Sequence, residues 1–403
     1  MKLIEGGVTA PRGFRASGIH CGIRKNKEKK DLALIMSNFP ARAAAVYTTN
    51  LVKGAPLIVT KEHLKNGMAQ AIICNSGNAN TCNADGVEIA REMCALIGKA
   101  TNISEKDVLV ASTGVIGQPL DIAPIAKNIS RLTDNLGHNS RAAAEAMMTT
   151  DTMVKEIAVE FTINGKTCTL GGIAKGSGMI HPNMATMLVF LTTDCAISTA
   201  MLQNALKTDV ADTFNMTSID GDTSTNDMVI IMANGRAKNP EITGEGPAFD
   251  TFMKALNTVT VTLCRWIAGD GEGATKLLEC RVCGAADSES AKKVAKSVVC
   301  SSLIKAAMFG ADANWGRILC AIGYSGAPVD VNRVEVRFSS PKGEILVCEN
   351  GAGVAFSEEK AKQILLEKEI DILINLHAGA AKATAWGCDL TYDYVKINGD
   401  YRT

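Results

Sequence analysis

With 403 residues, 46% of them apolar, the chain exceeds the roughly 250–300 residues at which a single hydrophobic core stops growing, so two domains are expected. Lys plus Arg total 42, Asp plus Glu total 42 and only 4% of residues are aromatic, which argues against nucleic acid or a membrane surface as partner, because neither a net field nor a set of stacking platforms is present. Thirteen irregularly spaced cysteines, an odd number in a long chain, read as reduced small hydrophobes, and no apolar run is long enough for a signal-peptide core or a membrane span; a cytoplasmic protein acting on small molecules is expected.

Apolar runs rich in β-branched residues predict strands at Leu32–Met36, Ala43–Thr48 and Ala71–Cys74, and helical spacing follows over Asp85–Ala100. Ser104 and Asp107 form a capping signal ahead of a strand at Val108–Ala111. Helices are predicted over Ile122–Leu132 and Ser140–Met148, then strands at Ile157–Ile163 and Met187–Leu191, a helix over Thr199–Phe214, a strand at Met228–Met232 and a helix over Phe249–Ala268. The remainder reads as a helix over Ser288–Phe309, a strand at Val334–Phe338 and a helix over Glu358–Glu367. Close neighbours joined by turns within Leu32–Thr48, and across Asn164-Gly165 within Ile157–Ala174, predict hairpins and favour a layered α+β fold over a purely parallel sheet. The boundary falls near residue 278, after Gly269-Asp270-Gly271-Glu272-Gly273, which divides the chain into 1–278 and 279–403.

The segment with most chemical content is Lys175-Gly176-Ser177-Gly178-Met179-Ile180-His181-Pro182-Asn183-Met184-Ala185-Thr186-Met187-Leu188, a polar loop running into a buried strand. Cleavage between Ala185 and Thr186 would put a hydroxyl and an α-amine on one residue, and an amine with an ordinary pKa near ~7.7–8 can serve as that hydroxyl's base. An isolated threonine at this place more commonly just begins a strand. At Val108–Gly117 a buried strand ends in Ser112-Thr113-Gly114, a turn whose hydroxyl and backbone N–H can stabilise an oxyanion, and which is otherwise an ordinary strand-to-loop turn.

Other motifs carry less. Gly171, Gly172, Gly176 and Gly178 lack the Gly-Lys-Ser/Thr ending of a phosphate loop, and Gly269–Gly273 follows a helix where a dinucleotide fingerprint follows a strand. Cys280 and Cys283 have metal-ligand spacing but sit in an alternating strand pattern without a second pair, so they read as two packed thiols and no metal is expected. Asp220, Asp222, Ser224, Asn226 and Asp227 resemble a calcium loop without its glycine and terminal glutamate, which leaves a hydrogen-bonded Asx-rich loop. His181 reads as a solvent-facing loop histidine.

Taken together, Lys175–Leu188, Asp220-Gly221-Asp222-Thr223-Ser224-Thr225-Asn226-Asp227, Gly310-Ala311-Asp312-Ala313-Asn314-Trp315-Gly316-Arg317 and Trp386-Gly387-Cys388-Asp389-Leu390-Thr391 closely resemble the ornithine acetyltransferase family. Asn75-Ser76-Gly77-Asn78-Ala79-Asn80 and the ending Tyr394–Thr403 extend the resemblance over nearly the whole chain. It implies a layered αββα core of the N-terminal-nucleophile type with a smaller C-terminal α/β domain. It further implies self-cleavage between Ala185 and Thr186, Thr186 as nucleophile, Thr113 with Gly114 as oxyanion hole, and Thr149, Lys175, Thr186, Glu272, Asn398 and Thr403 as substrate-contacting positions. The activity implied is transfer of acetyl from N-acetylornithine to glutamate, with acetyl-CoA as a further co-substrate, no bound cofactor, and assembly of two larger and two smaller chains. The residue types suit an amino-acid ligand: Lys175 for a carboxylate, Glu272 for an ammonium, Asn398 for an amide. The rival readings are an autoprocessed amidase or aminopeptidase that uses water as acceptor, and an uncleaved amino-acid-binding protein.

Overall fold

The computed structural model describes residues 1–181 and 187–400. Its first part runs β1 (Lys2–Ile4), β2 (Phe14–Ile19), β3 (Leu32–Tyr47), α1 (Ala55–His63), β4 (Met68–Asn78), α2 (Gly86–Thr101), β5 (Val108–Val115), α3 (Ala123–Asp134), α4 (Ser140–Met147), β6 (Lys155–Ile163), β7 (Lys166–Lys175), β8 (Leu188–Thr193), α5 (Thr199–Asp212), β9 (Met228–Ala233) and α6 (Pro247–Gly269). The second runs β10 (Leu277–Ala285), α7 (Ser288–Cys300), α8 (Ser302–Phe309), α9 (Trp315–Gly323), β11 (Glu335–Ser340), β12 (Gly343–Glu349), β13 (Ala352–Gly353), α10 (Glu358–Leu365), β14 (Glu369–Asn375), β15 (Ala381–Cys388) and α11 (Tyr392–Asp400).

The strands of the first part form one hydrogen-bonded sheet in the order β1-β6-β7-β8-β9-β3-β4-β5, with β2 also paired to β3. That sheet is folded on itself at β3. The first half of β3 pairs with β2 and β4, its second half pairs with β9, and the register shifts between Met36 and Ala41. Pro40, which has no N–H to give a ladder, sits in the shifted stretch. The alternation of side chains shows the consequence. Ala33, Ile35, Ala41 and Ala43 of β3 share one core with Ile72 and Cys74 of β4, Leu109 of β5, Phe190 of β8 and Ile230 of β9. On the opposite face of β3, Leu32 and Leu34 pack with Met93 and Ile97 of α2 and Ile125 of α3, whereas Ala44 and Val46 pack with Leu202 and Leu206 of α5. The layers are therefore helix, sheet, sheet, helix, the αββα arrangement. Because each layer is covered on both sides, β9 is an uninterrupted apolar run and β8 begins with one, Leu188–Leu191, before the buried Thr192 and Thr193.

The second sheet has the order β13-β12-β11-β14-β10-β15. Helix α7 covers β10 and β15, and α6 packs on β6 and β7 while also meeting β10 and β15. One apolar cluster accordingly continues from Val159 and Leu263 through Cys280 and Val298 to Ile372, so the smaller α/β part is welded to the αββα core through α6.

Three local expectations are corrected. Leu32–Thr48 holds no hairpin, since Leu32–Tyr47 is the single bent strand β3, with Pro40 at the bend. The helix expected over Ser288–Phe309 is two, broken at Ser301, whose backbone is extended and whose hydroxyl accepts from the Ile304 N–H to start α8. Cys280 and Cys283 lie three apart on β10 and so face opposite ways: Cys280 is buried and Cys283 exposed. The turn at Asn164 and Gly165, both with positive φ, does join β6 and β7 as an antiparallel hairpin.

Where β2 crosses under α4, only glycine fits. A Cβ on Gly18 would lie 1.9 Å from the Ala142 carbonyl oxygen. Gly18→Ala should destabilise the chain by about 1–3 kcal/mol through overpacking, measured as a lower urea midpoint with an unchanged slope.

Candidate active site

Strands β4 and β5 run parallel and end side by side, and there the ladder becomes irregular, with Asn78 facing both Thr113 and Val115. Gly114 has φ +128°, and a Cβ there would stand 2.4 Å from the Gly77 carbonyl carbon, so the turn needs glycine on both conformational and steric grounds. Side-chain amides hold it from behind. Asn75 donates to the Asn78 carbonyl (2.9 Å) and accepts from the Ser112 hydroxyl (2.5 Å). Asn226, from the loop before β9, donates to the carbonyls of Ala79 (2.5 Å) and Ser112 (3.0 Å) and accepts from the hydroxyls of Thr81 and Thr225 (2.6 Å each). All four hydrogen-bonding positions of that buried amide are filled.

This turn forms one wall of a cavity of about 140 Å³ also lined by Thr149, Thr150, Lys175, Gly178, Met179, Thr225, Asn226, Glu272 and Asn398. Lys175 is the last residue of β7 and is 8% exposed. Glu272 comes from the turn after α6, and its carboxyl lies so close over Gly178 that a Cβ there would meet its Cδ at 2.4 Å. Asn398 of α11 donates to Glu272 Oε2 at 2.8 Å. The tail is brought there by docking: the Thr391 hydroxyl donates to the Gly273 carbonyl (2.6 Å), and Asp389 accepts from the backbone N–H groups of Thr275 (2.8 Å) and Lys276 (3.0 Å). The structure thus collects Thr113, Gly114, Thr149, Lys175, Glu272 and Asn398 around one cavity. Ala185, Thr186 and Thr403 lie outside the described residues.

Several residues of the site are ones that motif reading passes over. Asp151 accepts from the N–H groups of Thr149 (3.0 Å) and Gly176 (2.7 Å). Burial opposes its charge, but Lys155 and Lys175, with hydrogen bonds from Lys155 and Gly176, hold its carboxyl well below the usual carboxylate range. Asp220, in the Asx-rich loop, accepts from the N–H groups of Met179 (2.6 Å) and Ile180 (2.8 Å) and so fixes the segment that leaves the cavity. Tyr394 is raised above its ordinary value by burial and by the charges of Asp220, Glu272 and Asp222. His181 is not solvent-facing. It is half-buried, with Nδ1 3.1 Å from Ser218 Oγ and 3.5 Å from Cys300 Sγ, and burial together with the Lys296 charge lowers it to about 4.

A layered αββα core with a small polar cavity at the strand ends, walled by hydroxyls, a lysine and a glutamate, defines a layered α+β protein of the kind that binds a small molecule. The chain belongs to the ArgJ family, whose model matches residues 15–403. It is 52% identical to the arginine biosynthesis bifunctional protein ArgJ of Caldanaerobacter subterraneus subsp. tengcongensis, over all of both chains. It is 51% identical to the protein of the same name from Symbiobacterium thermophilum, again over all of both. Among solved structures, it is similar to the arginine biosynthesis bifunctional protein ArgJ of Bacillus halodurans (48% identity, TM-score 0.51, 54% of this chain and 100% of that one). It also resembles the ornithine acetyltransferase of Mycobacterium tuberculosis, solved with ornithine (35% identity, TM-score 0.43, 46% of this chain and 99% of that one).

Two outcomes follow from this geometry. Asn226→Asp keeps the acceptor for Thr81 and Thr225 but cannot donate to the Ala79 and Ser112 carbonyls; it should cost at least about 2 kcal/mol in urea denaturation, since orphaned buried groups cost roughly 1–3 kcal/mol each. His181, lowered to about 4 from an ordinary 6.5, is neutral in the native chain at pH values where the unfolded chain binds its proton. Its contribution to stability is full above about pH 6.5 and is lost as the pH falls towards about 4. His181→Asn should flatten the rise of stability with pH across that window, and an unaltered slope in denaturation series at fixed pH values would contradict the assignment.

Proposed function

We propose that this ArgJ-family enzyme of arginine biosynthesis moves an acetyl group from N-acetylornithine to glutamate through an ester on Thr186, after the chain has cut itself between Ala185 and Thr186. The observation that carries the reading is the convergence on one cavity of a strand-end hydroxyl and glycine (Thr113, Gly114), a nearly buried cation (Lys175), a carboxylate (Glu272) and an amide (Asn398), drawn from four distant parts of the sequence. Family membership over residues 15–403 supports it, as does the 35% identity to an ornithine acetyltransferase solved with ornithine.

In the proposed cycle the freed Thr186 amine takes the hydroxyl proton as Oγ attacks the acetyl carbonyl, and Thr113 with Gly114 supplies donors to the oxyanion. Collapse breaks the amide C–N bond, the proton passes to the leaving ornithine amine, and acetyl-Thr186 remains. The neutral amine of glutamate then attacks the ester, Thr186 Oγ leaves and recovers a proton, and N-acetylglutamate departs. Lys175 suits the substrate carboxylate and Glu272 its ammonium, which fixes an amino acid at both ends. Acetyl-CoA is a second donor in this scheme, and the cycle calls on no metal or organic cofactor. The ester must be shielded from water, and the docked tail, with Asn398 on Glu272, suits that task. Assembly of two larger and two smaller chains and a cytoplasmic location belong to the same proposal; among the described residues no helix is long and apolar enough to cross a membrane.

Thr186→Ala should stay full-length by denaturing mass spectrometry and exchange no acetyl, whereas the unsubstituted chain should give fragments 1–185 and 186–403. Acetate release with and without glutamate separates transfer from hydrolysis, because an amidase releases acetate equally in both. Deleting residues 400–403 should raise hydrolysis relative to transfer, and an unchanged ratio would remove the tail from the mechanism.

A further inference from the structure

Lys155 opens β6 opposite Ala174, one residue before Lys175 on β7. Its side chain is 0% exposed and its ammonium lies 2.8 Å from Asp151 Oδ1 and 2.5 Å from Asp270 Oδ2, the two carboxylates being 0% and 4% exposed. Such a triad is an expensive thing to bury, and a well-packed apolar trio of similar volume is commonly as stable or more so. Stability alone does not account for it.

What the triad holds is the perimeter of the cavity. Asp151 receives the N–H groups of Thr149 and Gly176, at 3.0 and 2.7 Å. Asp270 receives the Thr152 N–H at 3.1 Å and the Thr152 hydroxyl. The Ser177 hydroxyl donates to the Asp270 carbonyl at 2.7 Å, and the Ser177 carbonyl receives the Glu272 N–H at 2.8 Å. Three wall segments, 149–153, 175–178 and 270–272, are thus each tied to carboxylates that one ammonium holds together. Lys175 and Glu272 belong to two of them, which among the described residues meet directly only through Ser177, at its bonds to Asp270 and Glu272.

We propose that Lys155 is a positioning residue which, by clamping Asp151 to Asp270, sets the separation at which Lys175 and Glu272 face each other, and so the length of zwitterionic substrate that the cavity accepts. This rests on the acetyl-transfer reading of the site. Removing the ammonium lets the two carboxylates part and the wall segments with them. The loss falls on the grip of acetylornithine and ornithine, which carry both a carboxylate and a free side-chain ammonium. It also leaves two buried carboxylates without the ammonium between them, which pushes one of them towards taking up a proton.

The test uses the full-length processed enzyme and its Lys155→Met and Asp270→Asn variants, with Asp151→Asn/Lys155→Met as the partly charge-compensated form. KM and kcat are measured for acetylornithine and glutamate from pH 5 to 9, and ornithine binding by calorimetry. Lys155→Met should raise KM for acetylornithine on the order of tenfold, with a smaller fall in kcat and a smaller effect on glutamate, in line with a displacement of binding groups well under 1 Å. Its kcat/KM profile should gain an ionisation between about pH 5 and 8 that the double variant loses. Should Lys155→Met not fold, Asp270→Asn, which keeps a hydrogen-bonding shape and one fewer charge, is expected to show the same KM rise in weaker form. If the variant that folds keeps KM and ornithine affinity within twofold and an unshifted pH profile, the triad is scaffold only and the proposal is overturned. An unsubstituted enzyme that moves no acetyl and binds no ornithine overturns both this proposal and the function on which it rests.

Discussion

A sheet whose strands are apolar on both faces has to be covered twice, and this chain meets the requirement by bending one long strand. At the register shift around Pro40, β3 leaves the layer that packs against α2 and α3 and enters the layer that packs against α5. Everything functional is downstream of that bend. It stacks β4 and β5 over β7, β8 and β9, so that the end of β5 with Thr113 and Gly114 and the end of β7 with Lys175 open onto the same cavity. Without the fold in the sheet these two ends would be separated by the intervening strands.

Polar groups then finish what apolar burial begins. The irregular end of the β4/β5 ladder would leave carbonyls unpaired, and Asn226 satisfies two of them while its own oxygen is occupied by Thr81 and Thr225. On the opposite wall Lys155, Asp151 and Asp270 do comparable work with charges. Both devices are costly unless every partner is present. Both sit directly behind groups that line the cavity and are proposed to carry the chemistry: the glycine turn in one case, the lysine and glutamate in the other. The tail adds a third contact, from Asn398 to Glu272, which couples the last helix to the charge expected to grip the substrate.

Strand β9 could be read almost residue for residue, and β8 as far as Leu191, because complete burial makes these stretches unbroken apolar runs. The Asn164-Gly165 hairpin could be read because few other dipeptides take two consecutive positive φ values. Helix α11 could not. It has no buried residue of its own, and it is held by Gly273, over which its backbone passes so closely that a Cβ would lie 2.7 Å from the Tyr394 nitrogen. The bend of β3 looked like a turn since two apolar runs separated by a short polar stretch read alike whether the chain reverses or merely changes layers. His181 looked like a loop residue in solvent because its partners, Ser218 and Cys300, are 37 and 119 positions away.

The sequence by itself determined the local structure and the motifs that mark the family, since strand alternation, turn chemistry and a continuous run such as Lys175–Leu188 are short-range properties carried by neighbouring residues. The meeting of these motifs was decided only by the tertiary structure. Lys155 finds Asp270 across 115 positions and Asn398 finds Glu272 across 126, and in a linear reading each of these groups is one more surface charge or amide. Such pairs exist because closing the two-layered sheet and docking α6 remove water from between them, so that a charge costly to bury alone becomes a contact that orients the site.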